Sequence, residues 1–251
     1  APGKTAPQVQ VLGPLRLTEI GPAPLAPALA NLAAVLVFTN FRDYGTIANR
    51  MDSAKPWSPE TMAQQMSRLR ARLGLDSTGH PYLRPKPKGV EQYTLSEEVT
   101  VDWADFLHLS ERGLPHGPAG ILDLEAALAL VRGRPFGEAG AHNWAAGLVQ
   151  NMVSRIIDTA HTVAVLRTRD DILDVDSARD AIRLGLDVEP TAEALYRDWM
   201  RIEHRANNTS GVLTVVDQVR QMARSWDSPL QESTEELIRQ LTTGRGAIKG
   251  L

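Results

Sequence analysis

From Asp102 onward the alternating apolar and polar pattern that marks strands vanishes, and to residue 242 the chain is a succession of helical stretches parted by Gly, Pro and Asp/Asn clusters. The second half is therefore predicted to be all-α. Helices are expected near 102–110, 120–132, 142–167, 174–185, 190–206, 209–225 and 229–242. A weak self-match at an offset of 34 sets Ala178, Ala181 and Ile182 against Val212, Val215 and Val216, and 34 is the period of tetratricopeptide-type helix pairs. Such pairs bury small residues where helices cross closely, then stack to form a groove.

The first hundred residues carry a different pattern. Gln8 to Thr18 alternates apolar and polar residues around a Gly13-Pro14 break, which reads as two short strands about a turn. Leu25 to Phe38, rich in Ala and Leu, predicts a buried helix, and Asp43 to Met51 a short second one. Ser58 can cap a third, with Pro59 at its first helical position. Along it Met62, Met66, Leu69 and Leu73 recur at spacings of three and four, and Gly74 is a C-terminal stop. Pro81 to Ser96 then reads as a β-hairpin with a tip of Pro85-Lys86-Pro87-Lys88-Gly89. Strand, three helices and hairpin is a winged-helix order, so the expected fold is mainly α with a small β part: a winged helix-turn-helix followed by helical repeats.

Composition sets the outer limits. At 251 residues, 43% hydrophobic and 23% charged, the chain has ordinary globular make-up and suits two small domains. The reading is residues 1–8 linker, 9–100 winged helix, 101–242 helical repeat and 243–251 flexible tail. The linker-like start without an initiating Met suggests a piece cut from a larger protein. With no cysteine, disulfides and thiolate metal sites are excluded, and a cytoplasmic location is expected. The longest apolar run, Leu32 to Phe38, falls far short of the roughly 20 residues that span a bilayer, so no membrane contact is expected. The net charge of −3 is unevenly spread: residues 1–100 hold 11 basic and 8 acidic residues, the remainder 16 and 22, leaving +3 and −6. Between 58 and 88, six basic residues face only Glu60 and Asp76. That is compatible with a phosphate-binding surface or with a solvated helix face.

Several segments resemble the bacterial transcriptional activator domain family, which includes actinobacterial antibiotic-pathway regulators. They are Val11-Leu12-Gly13-Pro14-Leu15, Met66 to Gly74, Val101-Asp102-Trp103 with Phe106, Ala127 to Phe136, and Glu189-Pro190 through Leu195-Tyr196-Arg197-Asp198 to Met200. The resemblance implies a winged helix whose third helix enters the major groove with the hairpin at the backbone, followed by a helical domain that modulates or dimerises it. Carried onto this sequence, Thr61, Gln64, Gln65 and Arg68 are base-edge candidates. Arg70, Arg72, Lys86 and Lys88 are phosphate candidates. The implied partners are duplex DNA, a protein in the helical-repeat groove and, as a homodimer, a second copy. The stretches Leu130 to Phe136 and Leu195 to Met200 are most similar to a subgroup in which the module forms the C-terminus of membrane-anchored proteins with a LysM peptidoglycan-binding module. The turn before the third helix departs from DNA-binding members: Asn49 to Trp57 has no Leu-Trp-Pro-like step. The alternative function is accordingly a protein-interaction module that does not bind DNA.

The remaining residue types read as structural. Trp103, Phe106, Trp144, Tyr196 and Trp199 are expected in cores and between helices. Six scattered His residues lack ligand spacing, and Asp170, Asp171, Asp174 and Asp176 lack the glycine and closing Glu of a calcium loop, so no metal or cofactor is expected. Asn207 to Ser210 matches a glycosylation acceptor by chance. No phosphate-cradling loop, dinucleotide fingerprint, nucleophile elbow or thiol nucleophile is present, and the chain is not expected to be an enzyme.

Overall fold

The computed structural model describes residues 6–18, 20, 25–137 and 143–243. The tail expected over 243–251 lies outside these apart from Thr243, as do the first five residues of the expected linker. The chain is mainly helical with one three-stranded sheet. It divides into two compact units, residues 1–107 with 134–150, and residues 108–133 with 151–251, so the chain crosses between them three times, twice inside a helix and once, at 133/134, in a loop.

In the first unit, β1 (Gln8–Gln10) pairs antiparallel with β2 (Arg16–Thr18), Val9 opposite Leu17. It also pairs in parallel with β3 (Thr100–Val101), Val9 opposite Val101. β3 is too short for a periodic signal. Its partner is set by the residue after it: the buried Asp102 accepts from the backbone N–H of Val11 at 2.8 Å and of Leu12 at 3.1 Å, just where β1 ends. Three helices lie between β2 and β3, α1 (Pro27–Phe38), α2 (Tyr44–Met51) and α3 (Pro59–Leu73), and pack on one another. Asp43 caps α2 and Ser58 caps α3, each accepting the N–H three residues on, and Gly74 ends α3 at φ 81°. α1 is buried over most of its surface, from Leu29 to Leu36, as its unbroken apolar run requires.

Residues 134–150 return to this unit. Phe136, at φ 63°, donates its N–H to Val11 O at 2.8 Å, and its ring meets Trp144 edge-on at 5.6 Å. Trp144 in turn donates to Asn31 Oδ1 at 2.9 Å and carries the Arg50 guanidinium 5.7 Å above its ring. The aromatics expected to be packing residues are so here; Trp103 and Phe106 stack at 5.2 Å.

α4 (Asp102–Gly113) runs from the first unit into the second. A 3-10 turn over Leu114–Gly120 leads to α5 (Ile121–Ala129), and Gly113 lies so near Gly120 that a Cβ on the latter would be 2.0 Å from Gly113 O. Then come α6 (Ala146–Arg167), α7 (Val175–Val188), α8 (Glu193–Arg205), α9 (Thr209–Ser225) and α10 (Glu232–Thr243). The offset of 34 is visible in the caps. Asp174 accepts from Ser177 N and Asn208 from Gly211 N, so the carboxylate cluster and the chance acceptor site are each helix starts at equivalent positions. Ala178, Ala181, Ile182, Val212, Val215 and Val216 are all buried. α8 and α9 close over Tyr196, Met200, Val212, Val215, Val216 and Val219, which join Leu237 and Ile238 of α10. Gly185 lets α7 approach its neighbours: a Cβ there would sit 2.5 Å from Leu195 Cδ1 and 3.2 Å from Ala160 Cβ.

A buried charge ties the repeat together. Glu203, 3% exposed, accepts four hydrogen bonds: Arg179 Nε at 2.8 Å and Trp199 Nε1 at 3.0 Å on one oxygen, Arg179 Nη2 at 2.7 Å and Asn208 Nδ2 at 2.6 Å on the other. α7, α8 and the cap of α9 thus meet on one carboxylate. Arg179 beside it holds the Glu203 carboxyl below the usual range, against the opposing effect of burial. α5 and α6 are joined by the two-pronged pair of Arg167 with Glu125, both contacts 2.7 Å.

Candidate nucleic-acid interface

The core stripe of α3 is the one its spacing predicts: Met62, Met66, Leu69 and Leu73 are buried. At 100° per residue the face directly opposite holds Gln64, Ser67, Arg68 and Ala71, and all four are exposed. Thr61, Gln65 and Arg72 fall on one flank and are half-buried. Arg70 lies on the other flank, apart from the remaining candidates.

That flank is occupied by the hairpin. Arg70 Nε donates to Leu83 O at 2.8 Å and Nη2 to Arg84 O at 3.3 Å, so the guanidinium bolts the hairpin root to the helix. A second fastening comes from the turn after Gly74. Asp76, buried, accepts from the Thr78 hydroxyl at 2.7 Å, from the N–H groups of Thr78 and His80 at 2.9 and 3.0 Å, and from Arg84 Nη2 at 2.6 Å. The Thr78 hydroxyl first, then the backbone donors and Arg84, hold its carboxyl well below the usual range, while burial works the other way. Asp76, read from sequence only as local negative charge, is the organiser of the loop that launches the hairpin.

The hairpin itself is less regular than its sequence suggests. Leu83 stands opposite Leu95, with Arg84 N donating to Thr94 O at 2.8 Å and Ser96 N to Tyr82 O at 2.7 Å. The pairing continues onto the segment between α1 and α2, where Tyr93 N donates to Arg42 O at 2.9 Å and Asp43 bridges Gln92. The prolines on either side of Lys86 cannot donate to a ladder, so the pairing does not extend to the tip. There a turn closes with Val90 N donating to Pro87 O at 3.2 Å, Gly89 supplying φ 84°. Lys88 is exposed at that turn. Lys86 folds back: its ammonium lies 4.9 Å above the Tyr93 ring and 3.4 Å from Glu91 O. Burial raises the Tyr93 phenol above its ordinary value.

The structure thus brings Gln64 and Arg68 together on the outer face, with Thr61, Gln65 and Arg72 beside them. Lys88 is carried on the hairpin tip, and Arg70 and Lys86 are engaged inside the unit. The loop from Asp52 to Trp57 is held at both ends. Asp52 Oδ1 accepts from Ala54 N and Lys55 N at 3.0 and 2.9 Å, and Tyr44 Oη donates to Trp57 O at 2.6 Å.

No protein-family description matches the chain, and no curated protein matches it. Among solved structures, EmbR of Mycobacterium tuberculosis, in complex with a low-affinity phosphopeptide, is similar over 95% of this chain, with a TM-score of 0.65 and 18% sequence identity. The chain covers 65% of EmbR's length. At that identity the likeness establishes the fold. Among the described residues no helix is long and apolar enough to cross a membrane.

Proposed function

We propose that the chain is a DNA-binding transcriptional regulator of the bacterial transcriptional activator domain type, in which α3 enters the major groove and the second unit docks a protein partner. The observation that carries the reading is the outer face of α3. Gln64 and Arg68 are exposed there, between residues small enough, Ser67 and Ala71, to let the helix approach base edges. Arg and Gln have the donor patterns that read guanine and adenine in that groove. Arg72 and Lys88 are the backbone contacts, and Thr61 and Gln65 flank the reading face. The segments resembling the family and the fold shared with EmbR support a regulator over an enzyme.

The test is selection of duplexes from a random pool, followed by anisotropy titrations between 50 and 200 mM salt. An enriched sequence bound with a steep salt dependence is expected. Arg68→Ala should cost about 1–3 kcal/mol at a selected site if Arg68 reads a guanine. Neutralising Lys88 should instead weaken all duplexes alike and lower the log-log slope by about one. A pool that yields no enriched duplex, with no binding at the lowest salt, refutes the reading.

A second reading, the module of a larger LysM-containing protein that binds partners and not DNA, is favoured by one observation. Arg70 and Lys86, both phosphate candidates, already have partners inside the unit. The same titrations decide between the two.

A further inference from the structure

We infer that Glu60, one turn before Gln64 on the outer face of α3, is a third base-reading residue whose carboxylate requires a cytosine in the bound duplex. The inference rests on the DNA-binding reading above and deepens it by naming a base that the bound site must contain.

Glu60, Gln64 and Arg68 stand four residues apart along α3. Each step of four advances about 6 Å along the axis and turns by only about 40°, so the three form one row. All three are exposed. No hydrogen bond or ion pair joins the Gln64 or Arg68 side chain to another described residue.

The members of the row differ in kind. A carboxylate only accepts hydrogen bonds, an amide accepts and donates, and a guanidinium only donates. In the major groove cytosine presents the N4 amino donor, adenine a donor beside an acceptor, and guanine two acceptors. Adenine N6 could also donate to a carboxylate, but the N7 acceptor beside it repels one, so cytosine is the base matched to Glu60.

The charge of Glu60 is not spent on an ion pair. It is the one acid in α3, and no Lys or Arg among the described residues pairs with it. The helix is capped by Ser58, which accepts the Thr61 N–H at 3.2 Å. The backbone N–H of Glu60 itself, and then the Ser58 side chain, hold its carboxyl below the usual range, so the group is an acceptor at neutral pH. From 58 to 88 the other acid is Asp76, which is buried and bonded to Arg84 and its own loop. Glu60 is therefore the exposed carboxylate on a face that meets phosphates, where like charge weakens every duplex alike. A cytosine amino group opposite it recovers part of that loss, and a base offering an acceptor recovers none. Such a residue acts by rejecting wrong sites more than by tightening the right one.

The experiment is selection from a random duplex pool with the full chain and with Glu60→Gln, Glu60→Ala and Arg68→Ala. Anisotropy titrations follow on the enriched site and on its three replacements at the selected cytosine. The parent should prefer cytosine there by about tenfold or more. Glu60→Gln should shift the preference at that position alone to adenine. Glu60→Ala should bring all four bases within about threefold and bind unselected duplexes more tightly than the parent. Arg68→Ala should relax a different position and keep the cytosine. A base preference is a ratio of affinities within one preparation, so a lowered folded fraction does not move it, and a role confined to starting the helix would change melting and leave every preference in place. An enriched site at which the Glu60 variants select the same bases as the parent overturns the inference and leaves the DNA reading standing. No duplex bound by the parent refutes that reading, and the inference falls with it.

Discussion

Replacing Glu203 by Gln tests how the helical repeat is held together. The wild-type side chain accepts four hydrogen bonds, two on each oxygen, from Arg179, Trp199 and Asn208. A glutamine amide has one oxygen, so in either orientation its NH2 faces two donors and those two bonds are lost. The charge opposite Arg179 is lost with them. Removing one partner of a buried pair costs about 3–5 kcal/mol, but the Arg179 side chain is 22% exposed and keeps Asp176 at 3.0 Å, so water and that second carboxylate soften the loss to about 2–4 kcal/mol. For a chain of this size that corresponds to a fall of roughly 5–15 °C in the melting temperature of the second unit. The assay is urea and thermal denaturation followed by circular dichroism, with Arg169→Gln as the surface control. That control removes an exposed pair with Asp171 and should change stability by less than about 0.5 kcal/mol. A Glu203→Gln loss below about 1 kcal/mol would show that the carboxylate is not what joins α7, α8 and the α9 cap, and the reasoning fails.

Further outcomes follow from the same geometry. Asp102→Ala strands two buried N–H groups, Val11 and Leu12, and should destabilise the first unit by about 2–5 kcal/mol; hydrogen exchange at those amides reads it directly. Gly185→Ala should cost about 1–3 kcal/mol through overpacking against Leu195, whereas Gly147→Ala, with nothing within 4 Å of its Cβ, should be neutral or stabilising. Arg70→Gln should lower the stability of the first unit and alter the proton resonances of Leu83 and Thr94; loss of duplex affinity at unchanged stability would instead make Arg70 a phosphate contact. Acid sensitivity has a definite sign. Asp76 and Glu203 have carboxyls held below their ordinary values in the folded chain. Their stabilisation is therefore complete above the unfolded carboxylate pKa of about 4–4.5 and is lost as pH falls through the folded values. The melting temperature should be flat from pH 7 to about 5 and fall below about 4, less steeply in Glu203→Gln.

What the residues alone determined is local and periodic. The spacing of Met62, Met66, Leu69 and Leu73, with Ser58 before and Gly74 after, specified a helix, its buried side and both its ends, because a 3.6-residue period and a cap are properties of neighbours in sequence. The offset of 34 was legible for the same reason, and the equivalent caps Asp174 and Asn208 were there to be read by the rule that located Ser58. Other features depended on contacts between residues far apart in the chain. Residues 134–150 returning to the first unit, Asp102 closing β1, Arg70 turned to the hairpin and Lys86 laid on Tyr93 each join segments whose meeting no local pattern encodes. A side chain's propensity is set where it stands, but its partner is set by how the helices and strands pack, and the distinction between a group spent on the fold and one left for a ligand exists only once that packing is complete.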